Sequence, residues 1–145
     1  MRDILFRGKR IDNGEWVEGQ TIVVIHQDDN DLIFMPQHGE DVKADPMEGN
    51  DRALTSIYGN YYQILPQTVG QYTGLSDKNG KKIFEGDIIQ CFWYVTGEKI
   101  IGSVEFYEHT AKYCVRGSNH LVGLYQCRMI ENIGNIHDNS ELLEV

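Results

Sequence analysis

Two runs in the second half of the chain alternate apolar and polar residues with period two, in phase across Thr96-Gly97. From Asp87 to Val95 one face carries Ile89, Cys91, Trp93 and Val95, and from Lys99 to Tyr107 one face carries Ile100, Gly102, Val104 and Phe106. Successive strand side chains point to opposite faces, so each run describes a strand with one buried face. If Thr96-Gly97 is a two-residue hairpin loop, Val95 stands opposite Glu98, Trp93 opposite Ile100, Cys91 opposite Gly102 and Ile89 opposite Val104. The apolar faces then coincide, whereas an odd loop would turn one of them to water. The expectation is an antiparallel hairpin with an even loop.

The same punctuation runs through the chain. Ile4-Leu5-Phe6-Arg7 reads as a strand, Asp12-Asn13-Gly14 as a turn that tolerates positive φ, and Glu15-Trp16-Val17-Glu18 as the returning strand. Gln20 to His26 and Leu32 to Met35 make a second pair around the polar run Gln27 to Asp31, stopping at Pro36. Tyr113-Cys114-Val115 and Leu121 to Tyr125 pair around Gly117-Ser118-Asn119. Met129 to His137 fits strand or helix. Asp138-Asn139-Ser140 is placed to cap a last helical turn at Glu141-Leu142-Leu143 through side-chain oxygens. The organisation is therefore a single domain. Residues 1–36 form N-terminal hairpins, 37–60 a variable excursion with one irregular strand or turn near Ala53 to Tyr58, 61–137 a barrel-like core, and 138–145 a C-terminal turn. The fold class is mostly β, a small, partly open barrel of SH3-like scale with at most one or two short helices.

The densest turn chemistry is LSDKNGKKIFEGDII, Leu75 to Ile89. A calcium loop of the EF-hand type needs oxygen ligands at positions one, three, five and twelve and glycine at six. Counting from Asp77, position five is Lys81, position six Lys82 and position twelve Ile88. A phosphate loop needs a second upstream glycine and a Ser or Thr after the lysine, and Gly80-Lys81-Lys82 has neither. Glu85 and Asp87 flank one glycine, with no apolar pocket nearby in sequence to raise either pKa. The architectural reading accounts for each residue. Asp77 accepts from the backbone N–H two residues on, Asn79-Gly80 supplies positive φ, Ile83-Phe84 is a short strand, and Gly86 makes the corner from which Asp87 launches the next strand.

Composition narrows the function classes. The chain has 145 residues, enough for one core without staples, and it carries 15 glycines against 3 prolines, a ratio that suits short strands and tight turns. Net charge is −9, from 22 acidic and 13 basic side chains, which disfavours general nucleic-acid binding; the run Arg7-Gly8-Lys9-Arg10 reads as a solvated turn. Cys91, Cys114 and Cys127 form no CxxC pair and read as small apolar residues of a reducing compartment, although His109 and His120 flank Cys114 in sequence. The 5 histidines show no zinc spacing, so neither metal nor cofactor is expected. No apolar run reaches the roughly 20 residues that cross a bilayer, and the N-terminus lacks a secretory pattern, which makes the cytoplasm the expected compartment. Tyr58, Tyr61 and Tyr62 gather large half-polar rings of the kind enriched at interfaces, and half-buried strand tyrosines are the plainer reading.

The residues of the turn block also carry a resemblance. Gln71-Tyr72-Thr73-Gly74-Leu75, Asp77-Lys78-Asn79-Gly80-Lys81 and Ile83 through Ile89 resemble the signature of the YopX family of phage and prophage proteins, with Gly74, Asp77, Asn79, Gly80, Glu85, Gly86 and Asp87 as its structural residues. Met1 to Arg7, Gly102 to Phe106, Ile133 to His137 and Glu141 to Leu143 are similar to other parts of that family. The resemblance implies a small, mostly β, phage-borne protein that self-associates, as unpaired edges of a partly open sheet also invite, and the expected function is that of a non-enzymatic accessory protein acting through contacts with a host or phage protein in the host cytoplasm. It brings no catalytic residues. A nucleic-acid-associated small barrel and a hydrolase with an acidic site are the rival classes.

Overall fold

The computed structural model describes residues 3–36 and 61–144. Ala53 to Tyr58 and the rest of the expected excursion lie outside the described residues. Strands dominate the remainder, linked into three antiparallel sheets, and the helical pieces among the described residues are 3₁₀ turns at Pro66–Thr68, Leu124–Gln126 and Ser140–Leu143. None of these is a helix long and apolar enough to cross a membrane. The chain divides into two compact units between Gln71 and Tyr72.

In the first unit, β1 (Phe6–Lys9) pairs with β2 (Trp16–Gly19) from Phe6↔Gly19 to Lys9↔Trp16. The Asp12-Asn13-Gly14 turn closes it. Arg10 N donates to Glu15 O at 2.9 Å, Gly14 N to Arg10 O at 3.0 Å, and Glu15 N to Asn13 Oδ1 at 2.9 Å. β3 (Val23–Gln27), β4 (Asn30–Pro36) and β5 (Tyr61–Ile64) form a second ladder, and Asp28-Asp29 joins the first two where Gln27 faces Asn30. Phe34 and Tyr61 are buried there against Val23, Ile25 and Leu32. Leu65 N bonds Lys9 O and Ile11 N bonds Gln63 O, both at 2.9 Å, so the hairpin and β5 are stitched through backbone groups. β6 (Gly70–Ser76) starts in this unit, where Gln71 faces Phe6.

In the second unit, the end of β6 pairs with β7 (Lys82–Phe84) at Tyr72↔Phe84 and Ser76↔Lys82. A five-stranded sheet follows, built from β8 (Asp87–Trp93), β9 (Lys99–Tyr107), β10 (Lys112–Arg116), β11 (Leu121–Gly123) and β12 (Cys127–Asn135) in the order β11-β10-β9-β8-β12. Of Met129 to His137, ambiguous in sequence, the part to Asn135 is therefore strand, and Ile136 and His137 lie in the turn that follows. Ile83, Ile89, Cys91, Ile100, Val104, Val115, Val122 and Leu124 fill one face of this sheet. Each large aliphatic side chain buried there contributes about 1.5–3 kcal/mol relative to an exposed position. Among the described residues no sheet closes into a barrel: β11 and β12 are the two ends of the ladder and do not pair with each other.

The β8–β9 hairpin keeps the predicted faces and shifts the predicted partners. Ile89 faces Gly102 and Cys91 faces Ile100, two residues out from the expected register. Trp93 N donates to Glu98 O at 2.8 Å and Gly97 N to Trp93 O at 2.7 Å, so the loop is Tyr94 to Gly97, four residues and still even. Val95, counted by its apolarity as the last core residue, is 62% exposed in that loop. The final turn also differs from expectation. Ser140–Leu143 forms a 3₁₀ turn, but no side chain caps it. The Asn139 carboxamide instead accepts from Asn135 N at 3.2 Å, holding the chain where it leaves β12.

Candidate functional site

The residues singled out in sequence converge on the corner between β6 and β8. Asp77 is only 7% exposed. Its Oδ1 accepts from Asn79 N and Lys81 N, each at 2.9 Å, and its Oδ2 from Asn132 N, also at 2.9 Å. The expected contact two residues on is thus one of three. The turn beneath closes through Asp77 N to Lys81 O at 2.7 Å and Gly80 N to Asp77 O at 3.0 Å. Burial works against the charge of Asp77, yet the N–H groups of Asn132, Lys81 and Asn79, with the Lys81 ammonium, hold its carboxyl below the usual carboxylate range.

Asp87 is 1% exposed, at the start of β8. Its Oδ2 accepts from Phe84 N at 2.7 Å and from the Asn132 carboxamide at 2.8 Å. Asn132 lies in β12 between two register irregularities, which turn its carboxamide to Asp87 while its backbone N–H reaches Asp77. One residue therefore ties the two buried carboxylates of the corner to a strand that sequence reading left undecided. Between them Gly86 sits at φ +88°, closed to most residues with a Cβ. Its N–H donates to Val104 O and its carbonyl accepts from Ile136 N, both at 2.8 Å, so that conformation is held from both sides. Thr73, also buried, donates its hydroxyl to Ile83 O at 2.8 Å. Glu85 is half-buried in the same corner, and Gly74 lies in the irregular stretch of β6 at φ +90°.

Both aspartates are thus engaged by backbone and carboxamide donors of their own corner. Among the described residues no group of three or more His, Cys, Asp and Glu side chains is placed to hold a metal ion. The cysteines are free thiols; Cys91 and Cys114 are buried and Cys127 half-buried. Cys114 approaches Lys112 O at 3.8 Å, and burial pushes its thiol up. Its sequence neighbours point elsewhere, His120 to Glu98 at 3.0 Å and His109 to the Tyr107 ring at 5.3 Å. Hydrogen bonding with Cys127, with burial adding to it, pushes the Cys91 thiol well up, and the same contact holds Cys127 down.

The tyrosine cluster is split. Tyr58 lies outside the described residues. Tyr61 is buried against Phe34, and the Arg10 guanidinium covers the half-buried Tyr62 ring at 4.0 Å. Large apolar side chains exposed in the second unit lie elsewhere: Tyr94 and Val95 at 62%, Met129 at 65% and Tyr125 at 66%. The Arg128 guanidinium stacks 4.4 Å from the Tyr94 ring, and Tyr94 N donates to Gln126 O at 2.9 Å, so the hairpin tip and the start of the edge strand β12 are joined. Sequence reading missed this set because Tyr94 and Val95 continue an apolar run that looks like core.

An antiparallel β protein whose most patterned loop is a hydrogen-bonded corner is the class these features define. The family model of the YopX protein matches residues 5–144, and the chain belongs to the YopX family. No curated protein matches it.

Proposed function

We propose that this chain is a non-enzymatic phage or prophage accessory protein that works in the host cytoplasm through protein–protein contacts, first of all with copies of itself and then with a host or phage partner. The observation that carries this reading is the exposed set at the end of the five-stranded sheet. Tyr94, Arg128 and Met129 are of the residue types enriched at the centre of protein interfaces, and they stand at the start of β12, the last strand of its sheet among the described residues, ahead of the stretch that the Asp77-Lys78 turn covers. Met129 takes φ +52° at the register irregularity of β12 between Arg128 and Glu131, and its side chain is exposed. Buried Asp77 supports the non-enzymatic part, since a carboxylate that accepts three backbone N–H bonds and titrates below its usual range is a poor general base.

Sedimentation velocity over a concentration series tests the reading. Wild-type protein is expected to run as an oligomer, and Tyr94→Asp with Met129→Asp as a monomer with an unchanged circular-dichroism spectrum. A wild-type chain that stays monomeric at every concentration would overturn it.

A further inference from the structure

The second unit holds a groove of about 500 Å³ on the sheet face opposite its main core, lined by Lys99, Ile101, Ser103, Arg116, Leu142 and Leu143 with the Gly117-Ser118 turn. Strand alternation sets this lining. Lys99, Ile101 and Ser103 are every second residue of β9, and Arg116 of β10 faces Ser103 across the ladder, while Ile100 and Val104 go to the other face. The 3₁₀ turn Ser140–Leu143 packs over β9 and adds the two leucines.

The ionisable side chains of the lining are both cationic, in a chain of net charge −9. Glu105 clamps Arg116 through Nε at 3.0 Å and Nη2 at 2.7 Å, which fixes the guanidinium plane beside the groove. Lys99 is exposed and forms no ion pair among the described residues, while its neighbour Glu98 is taken by His120 at 3.0 Å. Ser103 and Ser118 add hydroxyl donors. Ile101, Leu142 and Leu143 supply an apolar wall in the same space. A concave site of this size that combines an apolar wall with a few polar groups suits a small amphiphilic ligand rather than a flat partner.

We infer that the groove binds a small amphiphilic anion: a carboxylate held chiefly by Lys99, with the guanidinium N–H groups that Glu105 leaves over on Arg116 as secondary donors, and a compact apolar chain against Ile101, Leu142 and Leu143. The carboxylate could come from a free short-chain acid or from the C-terminus of a peptide ending in an apolar residue, and the chemistry recognised is the same.

Titration of the full chain with octanoate, followed by two-dimensional amide NMR, tests the site. Saturable shifts are expected at Ile101, Ser103, Gly117, Leu142 and Leu143, with affinity falling about tenfold in Lys99→Glu and unchanged in Lys112→Glu. Lys99 is exposed, so its variant keeps the fold. Octanol, which has the chain and lacks the charge, is expected to bind at least tenfold more weakly. A hexapeptide ending in valine with a free carboxylate shifts the same amides, and whichever acid binds more tightly identifies the source. Octanoate shifts absent from these residues, binding indifferent to Lys99→Glu, or octanol binding as well as octanoate would each overturn the inference.

Discussion

The carboxylate of Asp77 accepts the backbone N–H of Asn132 at 2.9 Å across 55 residues of sequence. A side chain that ordinarily caps its own turn here also anchors a distant edge strand, and Asn132 returns the tie through its carboxamide to Asp87 at 2.8 Å. The corner and β12 therefore stabilise each other, and a change at either end reaches both.

Removing the acceptor is expected to cost more than removing the donor. Asp77→Ala strands three N–H groups, those of Asn79, Lys81 and Asn132, and is expected to cost about 2–4 kcal/mol. Asn132→Ala keeps the backbone bond to Asp77 and loses the carboxamide's one short bond, to Asp87, with two long ones at 3.3 Å to Lys82 O and from Gly134 N, so its cost is about 1–2 kcal/mol. Urea unfolding followed by tryptophan fluorescence measures both. An Asp77→Ala midpoint at or above that of Asn132→Ala contradicts this ranking.

The same hydrogen bonds set an acid dependence. The Asp77 carboxyl titrates lower in the folded chain than in the unfolded one, because the three N–H donors outweigh burial. Its contribution is fully present above the unfolded carboxylate pKa, roughly 3.9, and is lost as pH falls through the lower folded value. Melting temperature followed from pH 6 down to pH 2 is expected to drop below about pH 4 in the wild type. The drop is expected to be shallower in Asp77→Asn, which has no proton to gain at this position. Parallel curves for the two proteins would remove Asp77 from the account.

Strand faces were legible in the sequence because alternation is a property of the backbone, independent of the partner. Turn chemistry was legible for the same reason: Asp77 bonds Asn79 N, and Gly86 takes positive φ, as their local sequence requires. Register was not. Val95 is apolar, and counting it as core moves every β8–β9 pair by two residues; the hydrogen bonds closing the loop at Trp93 and Glu98 decide otherwise. Asn132 could not be found either, since a bulge that aims one carboxamide at a distant carboxylate leaves in sequence only an Asn two residues before Gly134. The groove depends on the Ser140–Leu143 turn packing over β9, and that is a tertiary fact with no local signal.

Gly86 gives the sharpest test of the corner. At φ +88° a β-branched side chain meets its own backbone, and the bonds to Val104 O and from Ile136 N leave little room to rotate away. Gly86→Val is expected to cost about 1–3 kcal/mol, and Gly86→Asn less, because Asn enters the left-handed region several-fold more readily than β-branched residues. Thermal melts of the three proteins at neutral pH should therefore rank wild type above Gly86→Asn above Gly86→Val. A valine variant melting with the wild type would mean that the corner does not hold this conformation, and the link from Asp77 through Asn132 to Asp87 would then need another geometry.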